Sequence, residues 1–249
     1  MKRILFLFLW CVLTTAQAET VMVAVASNFT KPMTALAEVF TKTTSHEINL
    51  SFGSSGKFVA QIENGAPYEI FLSADETNPQ KLEQLGLAVT NTRFTYAIGK
   101  LVLWSAKTGY VDKNGQILPN AGFRHLAIAD PKLAPYGLAA EATLKNLGLL
   151  EHLRPLLVLG ENISQTQQFI DSGNAELGFV ALSQIINDHG QISSGSAWQI
   201  PDDLHPPIRQ DAVLLKKGEL NPAAKALMAF LATREAQEII QAYGYGIAE

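Results

Sequence analysis

Residues 20–56 read TVMVAVASNFTKPMTALAEVFTKTTSHEINLSFGSSG. An apolar run, 20–26, stops at Ser27-Asn28-Phe29-Thr30. The stretch 30–43 then places Met33, Leu36, Ala37 and Phe40 at i, i+3, i+4 and i+7, with Pro32 in the first turn, and a second apolar run, 48–52, stops at Gly53-Ser54-Ser55-Gly56. Short β-type runs that alternate with amphipathic helices predict an α/β unit with largely parallel strands.

Carried onward, the alternation predicts a helix at 57–64 stopped by Gly65, a strand at 69–73 and a helix at 79–85 stopped by Gly86. A second series follows the run 101–105 and the polar turn Asp112-Lys113-Asn114-Gly115. Its strands are expected at 126–129, 156–159 and 177–181, and its helices near 138–147, 164–172 and 182–187. The chain ends with a strand at 212–215 and helices near 222–232 and 234–243. The fold class expected is therefore α/β in two lobes, each a mixed, mostly parallel sheet flanked by helices. Lobe I takes residues 19–100 and 210–249 and lobe II takes 101–209, with two crossings, near 98–102 and 207–212.

At the other end, Lys2 and Arg3 precede the apolar run 4–13, and Thr15-Ala16-Gln17-Ala18 offers small residues for cleavage. This is the pattern of a secretory signal peptide, residues 1–18, cleaved after Ala18. Ten apolar residues are too few to span a bilayer, which takes roughly 20. The one cysteine, Cys11, falls inside that leader, so the exported chain carries no disulfide, no thiol nucleophile and no cysteine metal site.

Loss of Lys2 and Arg3 lowers the basic count from 19 to 17 against 23 acidic residues, a net charge near −6. That argues against nucleic acid as a partner. It also means that any anion bound here is captured by local geometry, because the overall field repels it.

Four strand-to-helix junctions share a composition: Ser27-Asn28-Phe29-Thr30, Gly53-Ser54-Ser55-Gly56, Ala134-Pro135-Tyr136-Gly137 and Glu161-Asn162-Ile163-Ser164. Taken singly, each reads as an ordinary helix cap or turn. Two fall in each expected lobe, however, and a helix N-terminus carries unpaired N–H groups and roughly +0.5 charge, so four that converge offset about two negative charges without a lysine or arginine. Neutral donors suit a permanently ionised oxyanion, since burying a cation as well adds a desolvation cost and slows release.

Other chemistries fit less well. Gly53-Ser54-Ser55-Gly56-Lys57 has Lys57 where G-x-S-x-G needs its last glycine, and the phosphate-loop pattern would put Ser51 and Phe58 at its first and last defining positions. His46, His125, His152, His189 and His205 show no metal-ligand spacing. Asp75 and Asp130, each just past a strand, are read as loop braces, since a carboxylate beside a dianion repels it. No enzymatic activity and no cofactor is expected.

At these junctions the chain resembles the periplasmic molybdate-binding proteins of ABC transporters. The likeness runs through Val25-Ala26-Ser27-Asn28-Phe29, Ser51-Phe52-Gly53-Ser54-Ser55-Gly56, Gly65-Ala66-Pro67-Tyr68 and Phe71-Leu72-Ser73-Ala74-Asp75. It continues in Ala129-Asp130-Pro131, Pro135-Tyr136-Gly137, Gly160 to Gln165 and Leu177 to Ser183. The resemblance implies a two-lobed periplasmic-binding-protein fold of type II, molybdate or tungstate as ligand, and delivery to a membrane permease by a periplasmic monomer. It assigns hydroxyl and backbone donors to Ser27 and Ser55, backbone N–H donors to Tyr136 and Ile163, and a further donor to Asn28, with Ser54 able to exchange with Ser55. Many relatives carry a ligand-contacting tyrosine where this chain has Ala181, which gives Asn28 added weight. The alternatives are another oxyanion such as sulfate, phosphate or chromate, an exported hydrolase using Ser55, and a sensory module on the same fold.

Overall fold

The computed structural model of the chain describes residues 19–187 and 190–248. The expected leader with its cleavage point, Cys11 and His189 lie outside the described residues.

The strands are β1 (Thr20–Ala26), β2 (Glu47–Gly53), β3 (Ile70–Leu72), β4 (Phe94–Gly99), β5 (Leu101–Ser105), β6 (Leu126–Ala129), β7 (Leu157–Gly160), β8 (Leu177–Ala181), β9 (Ser196–Gln199) and β10 (Ile208–Leu214). The helices are α1 (Thr30–Thr44), α2 (Ser55–Glu63), α3 (Thr77–Gln84), α4 (Ile117–Asn120), α5 (Pro135–Asn146), α6 (Leu150–Leu153), α7 (Ile163–Asp171), α8 (Leu182–Ile185), α9 (Pro222–Leu231) and α10 (Arg234–Ala242), and a 3-10 turn, Ser27–Phe29, leads into α1.

Two five-stranded sheets result, in the orders β2-β1-β3-β10-β4 and β7-β6-β8-β5-β9. In each, three strands pair in parallel, and one strand, β10 or β5, runs against its neighbours on both sides. Four of five strands therefore point the same way, and the two sheets form the two-lobed architecture. Both faces of the central strands are covered, which explains why β1 reads as a continuous apolar run. Val21, Val23 and Val25 pack with Met33, Leu36 and Phe40 of α1, while Ala24 packs on the opposite side with Phe58, Val59 and Ile62 of α2. In the second sheet Leu101 and Leu103 belong to one core with Phe179 and Ala140, and Val102 and Trp104 to another with Ile170 and Val180.

Most expected elements lie within a few residues of their places. β4 and β9 are additions. The run 94–105 looks continuous because only Lys100 separates β4, in the first sheet, from β5, in the second. No turn residue marks that crossing, since the chain passes straight from one sheet into the next. β10 starts at Ile208, ahead of the strand expected at 212–215, and so the return crossing falls between β9 and Ile208. Among the described residues no helix is long and apolar enough to cross a membrane.

Candidate functional site

The four junctions meet. A small cavity of about 10 Å³ lies between the lobes and is walled by Ser27, Ser54 and Ser55 from the first and by Tyr136, Asn162 and Ile163 from the second. Each of these residues belongs to a segment that leads from the C-terminal end of a strand into a helix, where ligands bind in open α/β sheets. All five expected donors, Ser27, Asn28, Ser55, Tyr136 and Ile163, line it, and so does Ser54. No charged residue is among those that wall it.

Bonding around each helix start shows which donors are left for a ligand. At α7, the side-chain Oδ1 of Asn162 accepts from Ser164 N and Gln165 N, both at 3.0 Å. This cap uses the N–H groups of the second and third helical residues and leaves that of Ile163, the first. At α5, Pro135 has no N–H, and Gly137 N and Leu138 N turn back to Ala134 O at 2.9 and 3.2 Å. The Tyr136 N–H is the one left in that turn.

The first lobe differs. Ser54 holds the N-cap position of α2 but makes no side-chain cap. Its Oγ is buried without any hydrogen-bond partner. A buried hydroxyl without a partner costs about 1–3 kcal/mol, so the arrangement fits a site whose ligand supplies the missing acceptor. Ser55 Oγ accepts from Ala74 N at 3.0 Å, which leaves its own proton to donate. Ser27 Oγ donates across the cleft to Asn162 Oδ1 at 3.3 Å.

Asn28 plays a role that its expected function as a side-chain donor did not include. Both hydrogens of its Nδ2 are engaged, with Gln210 Oε1 at 2.8 Å and Tyr245 OH at 2.9 Å. Its carbonyl accepts from Ser183 Oγ at 2.9 Å and from Tyr245 OH at 2.8 Å. What remains to Asn28 as a donor to the cavity is its backbone N–H. Gln210 Nε2 also donates to Tyr136 OH at 3.2 Å. A buried web of Asn28, Gln210, Tyr245, Tyr136 and Ser183 thus ties the lobes together behind the cavity. Burial in that web pushes the Tyr136 and Tyr245 phenols well above their usual range. Tyr245 and Gln210 have no sequence signal of their own, because 217 and 182 residues respectively separate them from Asn28.

Ala181 is fully buried, does not line the cavity and donates its N–H to Gln184 Oε1 at 2.9 Å. Asp75 and Asp130 are engaged locally. Asp75 Oδ1 accepts from Ser73 Oγ and Asn78 N at 2.8 and 3.0 Å, and Asp130 Oδ1 accepts from Lys132 N at 2.9 Å. Burial raises the Asp75 carboxyl above the usual carboxylate range.

Comparison with known proteins adds four likenesses. The family model described as bacterial extracellular solute-binding protein matches residues 21–246. The molybdate-binding protein ModA of Azotobacter vinelandii is 56% identical over 93% of this chain and 92% of its own length, and that of Rhodobacter capsulatus is 51% identical over 92% and 89%. A solved structure of an Azotobacter vinelandii periplasmic molybdate-binding protein superimposes with a TM-score of 0.89 at 45% identity, covering 92% of this chain and all of that one.

Proposed function

Because the chain belongs to the family of bacterial extracellular solute-binding proteins, we propose that it captures molybdate or tungstate between its lobes outside the cytoplasm and delivers the oxyanion to the permease of an ABC transporter. The observation that carries this reading is an uncharged interlobe cavity bordered by an uncapped serine hydroxyl from one lobe and by two spare helix-start N–H groups from the other.

In this reading Ser55 and Ser54 give hydroxyl protons to the anion, and Ser27 turns its proton from Asn162 to the ligand. Asn28, Tyr136 and Ile163 give backbone N–H groups. The moving units are residues 19–100 with the chain from Ile208 onward against the residues between them, acting as a periplasmic monomer after removal of residues 1–18. Lobe closure is a hinge motion around the two crossings. Selectivity over sulfate follows from size, because fixed donors spaced for a larger tetrahedron leave some unpaired around a smaller one, at about 1–3 kcal/mol each.

Titration calorimetry on ligand-free protein tests this. Tight heats with molybdate and tungstate and none with sulfate are expected. Tight sulfate binding with no molybdate heat would reassign the cargo.

A further inference from the structure

Among the described residues, the charged ones that line the groove beside Ser54 and Asn162 are Lys57 and Glu161, and they face each other from opposite lobes. Lys57 is the third residue of α2, two positions after Ser55. Glu161 immediately precedes Asn162, the cap of α7. Their side chains form an ion pair, each a little under half exposed. Both line a groove with Ser54, Gly53 and Asn162, three residues that also wall the inner cavity, so the groove is that cavity's vestibule. Gln61 and Tyr68, farther out in the groove, are neutral.

An ion pair this exposed contributes little to stability in water. Its placement is the informative feature. The chain carries net negative charge and the cavity wall carries none, so Lys57 is the cation that an anion entering through this groove meets on the first lobe. When the lobes part, Lys57 and Glu161 separate with them and Lys57 is exposed beside the serine donors. When the lobes close, Glu161 takes up the lysine, so the buried anion keeps only neutral partners.

We propose that Lys57 and Glu161 form a charge gate over the oxyanion pocket, in which Lys57 draws the anion in and its pairing with Glu161 holds the closed state. The gate rests on the oxyanion reading above. It adds two residues that govern binding rates without touching the bound ligand.

Stopped-flow kinetics of molybdate binding to the mature chain test the gate at low salt and at about 0.5 M salt, where surface charges are screened. Lys57→Gln is expected to slow association at low salt by roughly two- to five-fold, with the difference vanishing at high salt. Glu161→Gln leaves association as fast or faster, yet speeds dissociation by a similar factor. The double variant dissociates no faster than the faster single one, because both remove the same pair. Unchanged association in Lys57→Gln at low salt, slowed association in Glu161→Gln, or additive dissociation rates would each overturn the gate. If calorimetry shows sulfate as the bound anion, the cargo reading fails instead, and the same kinetic comparison run with sulfate still decides the gate.

Discussion

The sheets β2-β1-β3-β10-β4 and β7-β6-β8-β5-β9 are built alike, so that the loops after β1 and β2 in one lobe correspond to those after β6 and β7 in the other. Their chemistry at the cavity differs. In the second lobe the helix starts look after themselves: Asn162 caps α7, Pro135 opens α5, and single N–H groups are left over. In the first lobe Ser54 occupies a capping position and does not cap. A cap residue that leaves its own helix unserved gives up stability of the free protein, and the buried hydroxyl it keeps is useful only to something placed in the cavity. The comparison teaches that one lobe presents leftover backbone donors while the other holds back side-chain donors.

The largest effect is expected where the second lobe is tightest. A side chain at Gly137 would run into the backbone carbonyl of Ala129 and the nitrogen of Pro131, neither of which can yield. Gly137→Val should therefore shift α5, cost about 1–3 kcal/mol or more, and withdraw the Tyr136 N–H. Thermal unfolding should show a lower Tm that molybdate no longer raises. In the first lobe, a Cβ on Gly56 near the start of α2 would meet Leu133 of the opposite lobe, its carbonyl oxygen at 3.0 Å. Gly56→Ala should keep the ligand-free Tm and weaken binding, and an equal loss of Tm in both variants would break the comparison.

An intermediate effect separates the capped lobe from the uncapped one. Ser54→Ala removes a buried hydroxyl with no partner, so the ligand-free protein should unfold at the same or a higher urea concentration. Molybdate binding should weaken by about 1.5–3 kcal/mol, the value of a hydrogen bond to a charged group. Asn162→Ala should do the opposite in the ligand-free protein, losing about 1 kcal/mol with the helix cap. Ser55→Ala should weaken binding as Ser54→Ala does. Destabilisation of the ligand-free state by Ser54→Ala would show that this serine serves its own helix after all.

The last effect appears only at alkaline pH and concerns the buried tyrosines of the web that joins the lobes, together with Tyr96, which donates to Gln210 Oε1 at 3.1 Å. The Tyr96, Tyr136 and Tyr245 phenols all titrate above the ordinary value of 10.0 because they are buried. A folded-state value raised above the unfolded one gives stability that is complete below about pH 10 and is lost as pH rises further, since the unfolded chain releases those protons first. Urea midpoints should hold from pH 7 to about 9.5 and then fall, by at most about 1.4 kcal/mol per pH unit for each phenol. Tyr245→Phe should flatten that fall, and an alkaline limb of unchanged steepness would remove Tyr245 from the account.

The alternation of apolar runs and helical stretches is a local property, which is why β1, β5, β6 and β8 and the long helices were legible in the residues. β4 was hidden because a single lysine separates it from β5, and β9 because its four residues, three partly buried and one exposed, make too short a run. The donors on the cavity were legible as helix starts, since a helix must begin with unpaired N–H groups wherever it stands. Lys57 and Glu161 were visible beside two of those starts, but their pairing was not, because it depends on how the lobes close.

The residues alone determined that the chain alternates strand and helix, that its helix starts are neutral and rich in hydroxyls, and that the chain is acidic. All of these follow from composition and short-range spacing. Only the tertiary structure decided that Ser54 leaves its helix uncapped, that Asn28 spends its amide on Gln210 and Tyr245, and that Lys57 meets Glu161. Each of those outcomes is a choice among competing hydrogen-bond or charge partners, and the partners are brought within reach by the packing of segments far apart in the chain.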